Sequence, residues 1–267
     1  MGQYDVGMVS LIKRSDFPSR RLLGHVLKKE MIGKFQRHIF GSIWIFLNPL
    51  LTAVVMITAF YGIFGVKLAS LVDYSIYVLT GVILVQFINA SLINVTMSVY
   101  SARGLYSKIR IPKFTFPIAQ QILQQLNLII GLVYVFLLVI FSGSYSISYP
   151  NLFLSILSVT VFTCGLGLVF LVINSYFPDF ATILPIGLQA VMYLTPVFYT
   201  EEIWPEKVRN ILVLNPLLYF VRAFRHAISK ESTQAVNFPL LLAISSLVLV
   251  FGMLLVSIKW NKVMKKL

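Results

Sequence analysis

Residues 211–228 read ILVLNPLLYFVRAFRHAI. The stretch is apolar enough to suggest a crossing of the bilayer, which takes about 20 such residues in a helix. Whether it crosses decides the topology of the whole chain. Arg222 and Arg225 argue that it does not, because each would sit at membrane depth at a cost of roughly 2.5–3.5 kcal/mol on insertion scales. The pair Asn215-Pro216 offers another course: asparagine caps helix starts, and proline is tolerated in the first turn. A helix from Pro216 to Ile228 is about 20 Å long at 1.5 Å per residue, too short to span. The stretch therefore reads as one arm of a re-entrant helix pair within 200–238.

The word Leu-Asn-Pro-Leu-Leu opens this arm at 214–218 and stands also at 47–51. There Pro49 falls inside an apolar run, where it kinks the helix and frees a carbonyl that a neighbour or water must meet. Six apolar runs of spanning length are present: 40–64, 74–97, 116–141, 151–175, 182–199 and 239–258. None contains Asp, Glu, Lys or Arg. The 267 residues are 58% hydrophobic and 12% charged, with a mean hydropathy of +0.86. A soluble domain carries about 25% charge, so this chain cannot cover a water-facing surface.

Six spans put both ends on one side of the membrane. Of the 22 Lys and Arg, 16 fall before span one, between spans two and three, or in the tail. Basic loops stay inside, so that side is cytoplasmic. The same asymmetry accounts for the net charge of +13 without invoking nucleic acid. No early apolar run follows the basic start, so no cleaved signal is expected.

Residues 17–40 have helical spacing. Leu22, Leu23, Val26, Leu27, Met31, Phe35 and Ile39 share one face; Arg20, Arg21, Lys28, Lys29, Lys34 and Arg37 supply the other. This is an amphipathic helix for the inner interface. Its basic face anchors to anionic lipid or gathers an anionic lipid-linked substrate; both readings stand.

Several chemistries are missing. There is no phosphate-binding G-x-x-x-x-G-K-[ST], no H-E-x-x-H and no Cys/His cluster, so no catalytic or metal site is expected. His25, His38 and His226 lie outside the spans, and no ionisable group within a span could relay protons. A transport role would draw its energy from another subunit.

Four motifs carry a resemblance. Phe40-Gly41-Ser42-Ile43-Trp44-Ile45-Phe46-Leu47-Asn48-Pro49-Leu50 opens span one. Tyr106-Ser107-Lys108-Ile109-Arg110-Ile111-Pro112-Lys113 follows span two. Leu194-Thr195-Pro196-Val197-Phe198-Tyr199 closes span five. Leu214-Asn215-Pro216-Leu217-Leu218-Tyr219 precedes Arg222 and Arg225. In this order, on a six-span frame, they resemble the permease subunits of bacterial ABC polysaccharide exporters of the O-antigen, teichoic acid and capsule type. Two departures stand out: Phe40 replaces a leucine, and Phe177-Pro178-Asp179-Phe180 lacks an arginine that many members carry there.

The resemblance implies an all-α membrane protein with six transmembrane helices, an N-terminal amphipathic interface helix and a re-entrant pair between spans five and six. It forms one domain, 1–267: a cytoplasmic segment 1–38, a six-span region 39–258 and a tail 259–267. It also implies a homodimer in the bacterial inner membrane and a separate ATPase that binds ATP and Mg. The cargo would be a glycan on undecaprenyl pyrophosphate or a similar lipid. Phe40, Trp44, Asn48, Phe60, Tyr61, Tyr193, Phe198 and Tyr199 are candidates for lining its channel, since aromatic faces suit sugar C–H surfaces. The aromatic residues are equally suited to anchoring at the interface. Gln120 and Gln124 on span three serve interhelical hydrogen bonds or the pore. The basic face of 17–40, with Arg222 and Arg225, meets lipid headgroups or forms a gate. Tyr106, Lys108, Arg110 and Lys113 are the candidates for docking the ATPase. Two alternatives remain: a permease for a small drug or lipid, and a membrane enzyme acting on polyprenyl-linked sugars.

Overall fold

The computed structural model describes residues 14–35, 43–63, 65, 70–106, 108–199, 205, 207, 212–229 and 236–265. The chain is nearly all helical: α1 Arg20–Phe35, α2 Ile43–Ile57 running into a π-helical turn Thr58–Ile63, α3 Leu71–Ser101, α4 Arg103–Tyr106, α5 Thr115–Ser142, α6 Tyr149–Tyr176, α7 Phe180–Leu194, α8 Pro216–Ala227 and α9 Phe238–Lys265. Four helices, built on α3, α5, α6 and α9, are long and apolar enough to cross a membrane. The first and fifth expected spans form shorter apolar helices, Leu47–Ile63 and Phe180–Leu194. The first contains Pro49, which has no N–H for the carbonyl four residues back. The second ends at Thr195, just before Pro196.

Helix α3 is the axis of the bundle. Every residue from Val78 to Val85 is buried, with α2, α5, α6, α7 and α8 around it. Helices α6 and α9 run together along their length because Gly165 and Gly252 meet: a Cβ on Gly252 would stand 2.4 Å from the Gly165 carbonyl oxygen. Helix α9 buries only Phe238, Ser245, Gly252, Val256 and Val263, a seam with nearly heptad spacing. Its remaining faces are largely aliphatic and open, as a lipid-facing helix requires.

The core has two parts. One, toward the end of the bundle that carries most lysines and arginines, gathers Val26, Val99, Tyr106, Phe116, Leu171 and Val263. The other, running toward the far end, gathers Tyr74, Ile88, Phe198, Phe220 and Phe224. Helix α1 belongs to the basic end. Val26 is buried, Leu22, Leu23 and Leu27 pack beside it, and Arg20, Arg21, Lys28 and Lys29 face outward. Over 20–31 the expected two-faced pattern is present, with the apolar face laid on protein; Phe35 and Ile39, expected on the same face, have side chains outside the described ones.

At the far end the structure adds a feature absent from the all-helical expectation. Ser146–Ile147 pairs with Ile228–Ser229 as a short antiparallel ladder. Helix α5 stops at Gly143, whose φ of 61° is left-handed, and the chain turns there into the ladder. Ser148 N–H then donates to the Ala227 carbonyl (3.0 Å), so the α5–α6 connection is tied to the end of α8.

Candidate functional site

Helix α8 is fastened at both ends. Asn215 does two things at its start: Oδ1 accepts from Leu217 N–H (3.0 Å), and Nδ2 donates to Thr195 Oγ1 (2.9 Å). At the other end Arg225 reaches under the turn that follows α7. Its guanidinium donates to the carbonyls of Pro196 (2.8 Å), Val197 (3.1 Å) and Tyr77 (3.1 Å). It also lies 3.5 Å from the centre of the Tyr77 ring. The Tyr74 hydroxyl donates to the Phe198 carbonyl (2.7 Å), and that of Tyr77 to Tyr199 (2.8 Å). The non-helical backbone 195–199 thus has its carbonyls met by side chains from α3 and α8. Irregular backbone within an apolar bundle requires such partners. Gly81 makes room for the clamp, since a Cβ there would stand 2.8 Å from Arg225 Nη2.

The described aromatic channel candidates, Phe60, Tyr61, Tyr193, Phe198 and Tyr199, sit around this clamp. Phe60 stacks on Phe198 at 5.3 Å, and Phe198 is 1% exposed within the chain. Tyr61 lies 5.5 Å from Tyr74. The Tyr199 hydroxyl donates to the Tyr193 carbonyl (2.6 Å), and the Tyr193 ring is exposed. Arg222 lies beside Tyr219, 5.9 Å from its ring. Phe40 and Arg37 lie outside the described residues, as do the side chains of Lys34 and Trp44.

A second feature lies between α2, α3 and α5. A cavity of about 610 Å³ is walled by Asn48 and Pro49 of α2, by Gln86, Asn89 and Asn94 of α3, and by Gln124 and Asn127 of α5; Ile83, Phe87, Ala90, Ile93 and Leu128 complete it. Six carboxamides thus face one space, with no ionisable side chain in the lining. Some are held in place. Gln86 Nε2 donates to Thr52 Oγ1 (3.2 Å), and Asn127 Nδ2 donates to Gln124 Oε1 (2.9 Å). Asn94 Nδ2 donates to the Ala90 carbonyl (2.7 Å). Such a wall can donate and accept hydrogen bonds but cannot move protons at neutral pH.

The polar stripe of α5 therefore divides along its length. Gln124 and Asn127 turn to the cavity. Gln120 instead donates to Glu30 of α1 (3.0 Å). Gln121 donates to Thr163 Oγ1 of α6 (3.1 Å). Gln86, Asn89 and Asn94 were not singled out from the sequence, although their spacing keeps them close to one helical face.

The docking candidates lie at the basic end. Tyr106 is buried, 5.5 Å from the Phe116 ring and 5.7 Å from that of Trp260. Lys108 and Arg110 are exposed. Both edge a cavity of about 300 Å³ shared with Ile109, Ile111, Trp260 and Met264. Lys113 forms an ion pair with Asp16 (3.2 Å), and Phe17 packs on Phe114 at 5.1 Å. The chain before α1 is thereby attached to the loop that contains the docking candidates. Among the described residues no group of His, Cys, Asp or Glu could hold a metal ion.

Residues 21–229 match the family model of the ABC-2 type transporter membrane family. The chain is 24% identical over 206 residues to the O-antigen export system permease protein RfbA of Klebsiella pneumoniae, covering 76% of this chain and 78% of that one. It is 24% identical over 222 residues to the polysialic acid transport protein KpsM of Escherichia coli, covering 80% and 84%. With the capsule polysaccharide export inner-membrane protein CtrC of Neisseria meningitidis the identity is 24% over 249 residues, covering 91% and 92%. The chain belongs to the ABC-2 type transporter family.

Proposed function

We propose that this ABC-2 permease is the membrane subunit of an ATP-driven exporter that moves a lipid-linked polysaccharide out of the bacterial cytoplasm. The observation that carries the reading is the cavity between α2, α3 and α5. Within a bundle of apolar helices it presents six carboxamides and no charge. That wall suits a hydroxyl-rich cargo and offers no route for protons, so the driving energy comes from elsewhere. Relatives named for O-antigen, polysialic acid and capsule transport support the same cargo class.

The assembly is two copies of this chain with a cytoplasmic ATP-binding subunit, which holds the ATP and Mg. The four long helices and the two short apolar ones together make six crossings. Both ends are cytoplasmic, in keeping with the basic loops. Helix α1 lies in the inner interface, and α8 enters from the outer face and returns. Helix α7 buries only Leu184 and Leu188, and its bare face is where the second copy best fits.

The ATP-binding subunit engages Lys108 and Arg110. Its motion passes through Tyr106 to Phe116 on α5 and Trp260 on α9, because these rings are packed against one another. The Lys113–Asp16 pair carries the same motion toward α1. At the outer end, the Arg225 clamp holds α8 against the turn after α7, where an outer gate belongs.

Depleting this protein in its own bacterium and locating the lipid-linked polysaccharide tests the reading. Glycan trapped on the cytoplasmic face, with loss from the surface, is the expected result. Unchanged surface glycan would overturn it.

A further inference from the structure

The smaller cavity, at the basic end, joins charge to apolar surface. Lys108 and Arg110 form one edge, Ile109, Ile111, Trp260 and Met264 supply apolar wall, and no acidic residue lines it. Both cations are exposed, and Ile109 between them is 53% exposed. Helix α9 sets the depth. Its apolar run ends at Ile258, and Lys259 follows. At 1.5 Å per residue, Trp260 and Met264 lie about 3–9 Å beyond that point. The headgroup layer of one leaflet is on the order of 5–8 Å thick. The cavity therefore sits at headgroup level, where tryptophan is a common belt residue.

On the reading that the ATP-binding subunit docks at Lys108 and Arg110, we propose that in the free permease this cavity holds the headgroup of an anionic phospholipid. The ATP-binding subunit docks by displacing that lipid. Both halves of the cavity select the ligand. A lipid phosphate accepts hydrogen bonds, and the arginine fork and lysine ammonium only donate them. Arginine–phosphate pairs are charge-assisted and frequently bidentate. A zwitterionic lipid brings an ammonium beside the two cations and gains little. A free phosphate ion meets the cations but leaves Ile109, Trp260 and Met264 against water. The glycerol and upper acyl carbons of a lipid cover them. Basic pockets between helices on the cytoplasmic side suit anionic headgroups for these reasons. The volume of about 300 Å³ is at the lower end of small-molecule sites, enough for one headgroup. Lipid and partner then share Lys108 and Arg110, so the anionic fraction of the inner leaflet regulates how readily the ATP-binding subunit is recruited.

The test uses the full chain in vesicles of equal parts phosphatidylcholine and phosphatidylglycerol. Either one lipid or the other carries bromine high on its acyl chains, a short-range quencher of indole fluorescence. The Trp260 signal is the difference between wild type and Trp260→Phe. Brominated phosphatidylglycerol quenches Trp260 with about tenfold preference over brominated phosphatidylcholine, as expected for two cations at a membrane surface. Lys108→Gln with Arg110→Gln removes the preference and keeps the fold, since both side chains are exposed. Equal quenching by the two lipids in the wild type overturns the site and needs no further variant. A preference that survives the double substitution overturns it too.

A second arm separates this inference from its premise. Adding the purified ATP-binding subunit, with its binding read by vesicle flotation, relieves the phosphatidylglycerol quenching. Full binding with the quenching unchanged overturns the displacement and leaves the docking reading in place. If the subunit fails to bind wild-type vesicles while the lipid preference holds, the docking reading and the displacement fall and the lipid site stands.

Discussion

Gly252→Ala tests the closest helix contact in the fold. A Cβ on Gly252 would lie 2.4 Å from the Gly165 carbonyl oxygen, and one on Gly165 would lie 2.5 Å from Leu249 N and Cα. The obstacles are backbone atoms, so no rotamer change relieves them. Ordinary contact begins at 3.4 Å, and α6 and α9 must therefore part by about 1 Å. A gap of that size forfeits about a quarter to a half of the dispersion attraction along the seam. Overpacking typically costs about 1–3 kcal/mol, and with two rigid obstacles the expected loss is about 2–3 kcal/mol. That corresponds to a melting temperature lowered by roughly 4–10 °C. The assay is thermal unfolding of the purified protein in detergent. Gly24→Ala is the control: nothing lies within 4 Å of its added methyl, and alanine in a helix gains about 0.5–1 kcal/mol over glycine. The double variant Gly165→Ala/Gly252→Ala should cost less than the sum of the singles, because one separation relieves both clashes. A Gly252→Ala protein that melts with wild type, or a strictly additive double, would refute this account of the seam.

Arg225→Lys should destabilise by about 2 kcal/mol or more, since an ammonium cannot serve three carbonyls and a ring face together; thermal unfolding reads it, and a lysine variant as stable as wild type would remove the clamp. The Lys113–Asp16 pair, with side chains 22% and 10% exposed, should show a coupling of about 1 kcal/mol or less in a double-mutant cycle. Lys108→Glu with Arg110→Glu should abolish co-purification of the ATP-binding subunit while leaving the melting temperature unchanged, since both side chains are exposed. Burial, then the nearby Asp73 carboxylate, pushes the Tyr145 phenol up to about 12. Its folded pKa lies above the unfolded one, so its contribution to stability is intact below pH 10 and is lost as pH rises from about 10 to 12. Tyr145→Phe should flatten that alkaline loss and delete one late-titrating phenol from the absorbance titration.

The fold was partly legible before any coordinates. Hydropathy located α3, α5 and α6 to within a few residues because a bilayer fixes the length of an apolar helix; it found the start of α9, which runs on to Lys265 through the basic tail. Asn215-Pro216 marked the start of α8 because a cap and a ring-locked φ act locally. Pro49 removes a bond inside α2 without ending it, and Thr195-Pro196 ends α7 before its apolar sequence does. The short ladder between 146–147 and 228–229 was invisible, since two residues make no periodic pattern. The site was less legible. Arg225 reads in the sequence as a cation for lipid headgroups or a gate, because its partners are main-chain carbonyls, which carry no residue identity. Gln86, Asn89 and Asn94 read as scattered polar groups until α2 and α5 come alongside. Asn48 and Gln124 are channel candidates that line the same cavity, whereas Phe60, Tyr61, Tyr193, Phe198 and Tyr199 gather near the turn after α7. Which faces meet is decided by packing among helices that are each apolar nearly all round.

The axial position of α3 has a consequence for how this chain can change over generations. A helix covered on one side leaves most of its positions free to drift, and α9, held by a narrow seam, is in that condition. Helix α3 has no such free side between Val78 and Val85. Substitutions there have to match a neighbour whichever way they point, so tolerance along the helix should show no 3.6-residue rhythm. The fold concentrates its historical constraint in one helix and leaves the outer ones to vary with the membrane around them.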